Sequence, residues 1–119
     1  MGKFIRLANI NDLAEGAMKK YPVQGTEILI ARIEGIYYAT QNKCPHSGGD
    51  LSKGKLEGTI VTCPRHGSQF NLTDGSLVRW LKGAGFTSFI GKTLKSPQKL
   101  TTYNTRIEGQ DIMVETWTS

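Results

Sequence analysis

The stretch CPHSGGDL at 44–51, followed by CPRHGSQF at 63–70, decides how this chain folds and what it holds. Both segments begin with Cys-Pro and place a histidine two or three residues after the cysteine. The chain of 119 residues has 2 cysteines and 2 histidines, and all of them lie in these two segments. This concentration of sulfur and nitrogen ligands predicts one shared site, built from Cys44 and His46 on one loop and from Cys63 and His66 on another.

The composition is that of a globular protein. A length of 119 residues fits one domain spanning 1–119, and 38% hydrophobic with 21% charged residues argues against disorder. No apolar run approaches the ~18 residues of a membrane helix, so no membrane span is predicted. The N-terminus lacks the pattern of a signal peptide, and we expect cytoplasmic residence. Two cysteines in a cytosolic chain favour metal ligation or catalysis over a structural disulfide.

The formal net charge of +5 is unevenly distributed. From Ser76 to Ile107 there is no acidic residue, whereas the basic residues in this range are Arg79, Lys82, Lys92, Lys95, Lys99 and Arg106. A solvated basic face explains this distribution, and so does a footprint for an acidic protein partner. Aromatic and basic residues do not interleave and no helix motif for nucleic acid is present, so nucleic acid is not an expected partner.

Short apolar runs separated by glycine turns predict an all-β fold. In chain order, the predicted strands are KFIRLA (3–8), TEILIARI (26–33), IYYATQ (36–41), TIVTC (59–63), SQFNL (68–72), SLVRW (76–80), LTTYNTRI (100–107) and QDIMVET (110–116). A Glu-Gly pair between the second and third strands, and another between the last two, predict two β-hairpins. One short helix is predicted over 11–20, with Asn11 as its candidate N-cap. The expected architecture is a small antiparallel β-sandwich or barrel.

Three kinds of site can use two cysteines and two histidines. A structural zinc site, as in a zinc-stabilised interaction module, is tetrahedral, but zinc fingers of this composition pair like ligands and include a helix. A nucleophilic Cys–His pair is a second option, although two copies on twin loops would be redundant. A [2Fe–2S] cluster with mixed ligands has two thiolates on one iron and two imidazoles on the other. Two loops that each supply one Cys and one His fit this third chemistry best.

The motif Cys-x-His…Cys-x-x-His, here CPHSGGDL…CPRHGSQFNLTDG, resembles the signature of Rieske proteins. Its form is similar to that of the Rieske-type ferredoxins that serve aromatic-ring and related non-haem iron oxygenases; the alternative is the small Rieske-like subunit of a nitrite reductase. The likeness runs over residues 3–78 and 100–115. It implies a Rieske fold with two cluster-binding loops at one tip, at 43–51 and 62–71, and one [2Fe–2S] cluster.

The same resemblance implies a function and a set of ligands. The metal ligands would be Cys44, His46, Cys63 and His66, and the protein would be a one-electron carrier without catalytic residues of its own. Its partners would be a flavin reductase and a terminal oxygenase or similar acceptor. Because two neutral imidazoles replace two thiolates, the cluster carries less negative charge than an all-cysteine cluster and is easier to reduce.

Several neighbours of the ligands are expected to shape the site. Proline after each cysteine stiffens the loop, and glycine lets backbone N–H groups approach the cluster sulfurs; these residues are Pro45, Pro64, Gly48, Gly49 and Gly67. By the resemblance, the bridging disulfide of high-potential relatives would occupy positions 49 and 65, so it is absent here. Ser68 keeps a hydroxyl position, whereas Phe70 replaces a tyrosine. These differences imply a potential near the lower limit of the Rieske range, roughly −150 mV.

Two further features concern partners. Lys43, Lys53 and Arg65 lie near the motif and are either solubilising or a basic rim that docks an acidic redox partner. The segment 79–99 is longer than the corresponding connection in typical ferredoxins of this type and combines apolar with basic residues. It is expected to cover one end of the β core, with a partner-docking or oligomer-forming flap as the first alternative and a membrane-surface or lipid-contacting loop as the second.

Overall fold

The structure, a computed structural model, describes residues 2–46, 48–79 and 98–116. The strands in this part of the chain are β1 (Lys3–Asn9), β2 (Met18–Val23), β3 (Thr26–Ile33), β4 (Ile36–Gln41), β5 (Lys55–Glu57), β6 (Ile60–Thr62), β7 (Gln69–Asn71), β8 (Leu77–Arg79), β9 (Thr102–Tyr103), β10 (Thr105–Glu108) and β11 (Asp111–Thr116). Two 3₁₀ helices, Ile10–Asp12 and Leu51–Lys53, complete the regular elements of this part. The predicted all-β class is confirmed.

The strands form three sheets, with the orders β1-β11-β10, β2-β3-β4-β9 and β5-β6-β7-β8. Every pairing between these strands is antiparallel. The two predicted hairpins are present: Ile33 pairs with Ile36 across the first turn, and Glu108 pairs with Asp111 across the second. Within the described ranges, no helix is long and apolar enough to cross a membrane.

β3 separates two hydrophobic cores and contributes to both. Its side chains alternate, as they do in any strand, so Leu29, Ala31 and Ile33 face one core while Ile28 and Ile30 face the other. This explains why TEILIARI is apolar almost throughout instead of alternating with polar residues. The first core also contains Cys44 and Cys63 and is called the tip core below.

The predicted helix over 11–20 is wrong. The N-cap is Asn9, whose side chain accepts a hydrogen bond from the N–H of Asn11, and the helix is a single 3₁₀ turn. Gly16 adopts a φ of +79°, which a helix cannot accommodate. The residues that follow it form β2, which pairs with β3 along its whole length. The short strand β5 is a further element that was not predicted.

Candidate functional site

The two Cys-Pro segments form loops in neighbouring parts of the fold. Loop 1 (43–51) follows β4, and an antiparallel bridge between Lys43 and Asp50 closes its base. Loop 2 (62–71) connects β6 to β7, which pair with each other from Ile60 to Thr62. Each loop is therefore held at both ends by backbone pairing, which fixes the positions of the side chains at its apex.

Loop 1 is shaped by two backbone hydrogen bonds around its cysteine. The N–H of Cys44 donates to the carbonyl of Gly49 at 2.9 Å, and the N–H of Gly48 donates to the carbonyl of Cys44 at 2.8 Å. Gly48 has a φ of +75°, a region that favours glycine. These two bonds bring Gly48 and Gly49 back against Cys44.

Loop 2 repeats this backbone arrangement. The N–H of Cys63 donates to the carbonyl of Ser68 at 2.8 Å, and the N–H of Gly67 donates to the carbonyl of Cys63 at 3.1 Å. Gly67 has a φ of +79°, close to the value of its counterpart Gly48. The two loops are structural duplicates although their histidines stand at different offsets, +2 for His46 and +3 for His66.

The four predicted ligands come together with their cysteines inside and their histidines outside. Cys44 and Cys63 are each 1% exposed and belong to the tip core. His46 is half-buried and His66 is exposed. The two imidazole rings lie edge to face, with centroids 5.4 Å apart and an interplanar angle of 75°. The site therefore has a thiol side toward the core and an imidazole side toward the surface.

This donor set suits a two-iron cluster better than a single metal ion. In the described part of the chain, no three Cys, His, Asp or Glu side chains are placed to hold one metal ion together. A mixed-ligand [2Fe–2S] cluster needs two separate pairs, thiolates for one iron and imidazoles for the other. Burial, together with the neighbouring His66, lowers the pKa of His46, which favours the neutral imidazole that binds metal.

Gly49 is the point where loop 1 meets loop 2. A Cβ atom at this position would lie 2.8 Å from the Sγ of Cys63 and 3.0 Å from two side-chain carbons of Arg65. Any larger residue would therefore push the loops apart. The contact also places positions 49 and 65 side by side, as the resemblance implied for the two ends of the missing disulfide.

The other predicted neighbours of the ligands lie around the same site. Ser68 is fully buried, and its Oγ lies 3.4 Å from Nδ1 of His46. Phe70 is also fully buried and packs in the tip core. Pro45 is half-buried, whereas Pro64 is exposed beside His66. Ser68 and Phe70 thus belong to the buried part of the site, and the two prolines lie nearer to the protein surface.

A buried polar network beneath loop 1 was not predicted. Asn42, which is 1% exposed, donates from Nδ2 to Asp50 at 2.8 Å and accepts at Oδ1 from the N–H of Ser52 at 2.9 Å. Asp50 also pairs with Lys20 of β2 at 2.6 Å. Because an unpaired buried amide is costly, this network holds the base of loop 1 in one arrangement. Lys20 and Asp50 are separated by 30 positions in the chain, so no local sequence signal marks their contact.

Loop 2 has its own support from Arg79, at the end of β8. Its Nε and one terminal nitrogen both donate to the carbonyl of Gly67, at 3.1 and 2.9 Å. From the sequence, Arg79 falls in the predicted strand 76–80 and at the start of the atypical segment, and it was not predicted to lie at the site. In the structure, its side chain holds the turn that carries His66.

The three basic residues predicted to form a rim are divided between two sides. Lys53 and Arg65 line a groove beside loop 2 that also contains His66. Lys43 lines a different groove, beside loop 1. Of the atypical segment 79–99, only Arg79 and residues 98–99 fall within the described residues, so the expectations for the rest lie outside them.

Together, the fold and the site define an all-β protein in which two loops, each with one cysteine and one histidine, meet at one tip. The chain belongs to the family described as Rieske [2Fe-2S] domain, whose model matches residues 3–89. The resemblance drawn from the motif is confirmed, and the cofactor of the family is one Rieske-type [2Fe–2S] cluster.

Several known relatives match the chain along nearly all of its length. It is 30% identical over 115 residues to the ferredoxin component of the naphthalene 1,2-dioxygenase system of Pseudomonas putida, covering 95% of each chain. It is 31% identical to the ferredoxin component of the naphthalene 1,2-dioxygenase/salicylate 5-hydroxylase systems of Ralstonia, covering 94% of each. The fold matches the ferredoxin of carbazole 1,9a-dioxygenase from Nocardioides aromaticivorans, with a TM-score of 0.75, 22% identity and coverage of 93% and 95%.

Proposed function

We propose that this protein is a one-electron carrier, a Rieske-type ferredoxin that takes an electron from a reductase and passes it to a terminal oxygenase. The observation that carries the proposal is the convergence of two Cys/His loops, duplicates in their backbone, at one tip of the fold. The relatives that match over the full length are ferredoxin components of dioxygenase systems. The proposal assigns substrate chemistry to the acceptor and electron delivery to this chain.

The proposed ligands follow from which side chains share a face of the site. Cys44 and Cys63, both buried, would hold one iron as thiolates. His46 and His66, whose rings are neighbours, would hold the other iron. When bound, the cluster takes up and releases one electron at a time. The other residues of the tip are proposed to support the cluster rather than to react.

The environment of these residues suits an electron carrier. The tip core surrounds both cysteines with apolar side chains, including Leu51 and Phe70, and excludes water from the thiolate side. The exposed His66 reaches the surface, where a partner can approach it directly. Small, charge-steered interfaces are typical of such short-lived redox encounters.

The first test is the composition and spectrum of the purified protein. We expect a brown protein with two iron and two sulfide per chain and a Rieske-type EPR signal after reduction. Single Cys44→Ser and His46→Ala variants should lose the cluster, whereas a Lys19→Ala variant, at an exposed residue of β2, should retain it. A colourless wild-type protein with one zinc per chain would refute the proposal in favour of a zinc-stabilised module.

The second test is electron delivery. We expect the chemically reduced protein to be reoxidised by the terminal oxygenase of a naphthalene dioxygenase system in the presence of its substrate and oxygen. The cognate ferredoxin serves as the positive control. The Cys44→Ser variant, which lacks the cluster, controls for carry-over of the reductant. Reoxidation that is no faster than with that variant, using several such oxygenases, would contradict the assigned acceptor.

A further inference from the structure

Two grooves flank the tip, and they differ in charge. The groove beside loop 2 has a volume of about 600 Å³. The two proposed ligands of loop 2, Cys63 and His66, line it. Among the described residues, its lining also includes four basic side chains and no Asp or Glu; the basic residues are Lys53, Lys55, Arg65 and Arg79. We call this the basic groove.

The groove beside loop 1, about 490 Å³ in volume, contains charges of both signs. It is lined by two acidic residues, Glu27 and Asp50, and by Lys43. Both carboxylates also lie against Lys20, at 3.5 Å from Glu27 and 2.6 Å from Asp50. Lys55 pairs with the exposed Glu57 at 3.6 Å, so the excess of positive charge beside loop 2 comes from Lys53, Arg65 and Arg79.

The histidines show the same asymmetry. His66 lines the basic groove and is exposed, whereas His46 is half-buried and its ring faces the buried Ser68 hydroxyl. A group held in the basic groove therefore lies against His66 and not against His46. Arg79 fixes the carbonyl of Gly67, immediately after His66, so the wall of the groove is rigid at this point.

We propose that the redox partner docks over loop 2 by placing a carboxylate-rich part of its surface in the basic groove, which makes His66, rather than His46, the point of electron exchange. The inference rests on the proposed function and adds to it the side of approach and the charge of the partner. Guanidinium and ammonium groups bind carboxylates directly, and steering by such a patch raises association rates at low ionic strength. Lys43 takes no part in this contact.

The first experiment measures binding to a defined acidic probe, a peptide of ten glutamates, by titration calorimetry at ~10 mM ionic strength, where screening is weak. The double variant Lys53→Glu/Arg65→Glu is compared with Lys3→Glu/Lys19→Glu, which has the same net charge but changes residues on β1 and β2. We expect the first pair to weaken binding about tenfold more than the second. Equal weakening by both pairs would show that only net charge matters and would overturn the proposal.

The second experiment uses inorganic oxidants of opposite charge on the reduced protein. Each ferricyanide or hexaamminecobalt(III) ion takes one electron from one reduced protein and becomes ferrocyanide or the cobalt(II) complex. We expect Lys53→Glu/Arg65→Glu to slow the reaction with anionic ferricyanide about tenfold and to speed the reaction with the cationic cobalt complex. The remote control pair should change both rates much less.

A neutral double variant, Lys53→Gln/Arg65→Gln, is measured as well, in case the charge reversal in Lys53→Glu/Arg65→Glu impairs folding. It should show smaller changes in both rates, in the same directions. Rates that respond equally to the groove variants and the remote control would refute the proposed exit at His66. If the protein proves to hold no cluster, the proposed function fails, and the peptide titration still decides whether the basic groove binds carboxylates.

Discussion

Ser68 and Phe70 are the two side chains that bear most directly on the reduction potential. Both are fully buried at the tip, Ser68 near His46 and Phe70 in the core that contains Cys44 and Cys63. Hydroxyl donors near cluster sulfurs stabilise the more negative reduced state and raise the potential. The phenylalanine side chain has no such donor. We therefore expect Phe70, buried beside the two cysteines, to favour a low reduction potential.

A Phe70→Tyr variant should therefore raise the reduction potential. One added hydrogen bond of ~1 kcal/mol to the reduced state corresponds to about 40 mV for a one-electron couple. The measurement is a spectroelectrochemical titration of the purified holo-protein. Ser68→Ala, which removes a hydroxyl, is the matched variant and should move the potential down. A tyrosine variant with an unchanged or lower potential would contradict this account.

Asp50 links the stability of loop 1 to pH. Burial raises the pKa of Asp50, but hydrogen bonds from Lys20, Ser52 and Asn42 and the charge of Lys20 outweigh burial and hold this pKa well below its usual range. Because the pKa is lower in the folded than in the unfolded state, the carboxylate stabilises the fold above the unfolded-state pKa of about 3.9. This contribution is lost as the pH falls from there toward the folded-state pKa.

An Asp50→Asn variant should accordingly be less stable than the wild type at pH 7, by about 1–3 kcal/mol, since it disrupts a hydrogen-bonded network. The difference should shrink as the pH falls below ~4, because the unfolded wild-type chain then binds a proton that the folded carboxylate does not. Thermal unfolding followed by circular dichroism over this pH range provides the measurement. Glu57→Gln, which affects only an exposed pair with Lys55, should change little at any pH. A stability difference that does not depend on pH would contradict the assigned role of the carboxylate.

At the scale of the elements, β8 supports loop 2 through Arg79. Two nitrogens of this side chain donate to one carbonyl, that of Gly67, and a lysine cannot reproduce the paired geometry. We expect Arg79→Ala to release the cluster several-fold faster than the wild type, and Arg79→Lys to restore only part of the difference. Loss of visible absorbance in the presence of an iron chelator measures this rate.

The control for this prediction is Arg106→Ala. Arg106 lies on β10, pairs with the exposed Glu108, and belongs to a different sheet from β6 and β7, which flank loop 2. The Arg106→Ala variant should therefore leave the rate of cluster loss unchanged. Equal rates for the Arg79 and Arg106 variants would show that β8 does not support the loop.

The sequence predicts the hairpins and the ligand loops well because their signals are local. Alternation of side chains, Glu-Gly turns and paired Cys-Pro segments all act within a few residues. β2 was mistaken for the end of a helix because MKKYPV lacks a clear period, and β5 has only three residues, two of them charged. The supports of the loops were missed for a different reason: Lys20 and Asp50 lie 30 positions apart in the chain, and Arg79 reaches Gly67 only once β8 has paired with β7.

At the scale of the whole molecule, the two cores have different roles. The tip core contains both cysteines and joins the sheet of β5 to β8 with one face of β3. The second core, on the other face of β3, packs β1 and β11 against the sheet of β2, β3, β4 and β9. Substitutions in the second core should therefore affect stability first and the cluster only through global unfolding, whereas substitutions in the tip core affect both.

The last prediction concerns the segment 82–96. The described residues that precede and follow this segment lie near the tip core. The chain leaves β8, the edge strand of its sheet, at Arg79, and Val78 on this strand is 52% exposed. It returns at Leu100, which is fully buried in the tip core and donates its N–H to the carbonyl of Gly75 at 2.8 Å. Leu77 of β8 packs against the tip core and Leu100 lies in it, which favours a covering role for the apolar, basic segment between them.

Deleting 82–96 and joining the ends with a short glycine–serine linker should lower the melting temperature of the holo-protein by about 5 °C, since loss of ~1 kcal/mol shifts a domain of this size by roughly 4–8 °C. Oxidation by ferricyanide should change little, because the four residues of the basic groove are retained. A control that keeps the length but replaces residues 82–96 with glycine and serine separates loss of cover from loop shortening. If both variants kept the wild-type melting temperature but lost electron delivery to the oxygenase, the segment would be a docking flap and the covering role would be refuted.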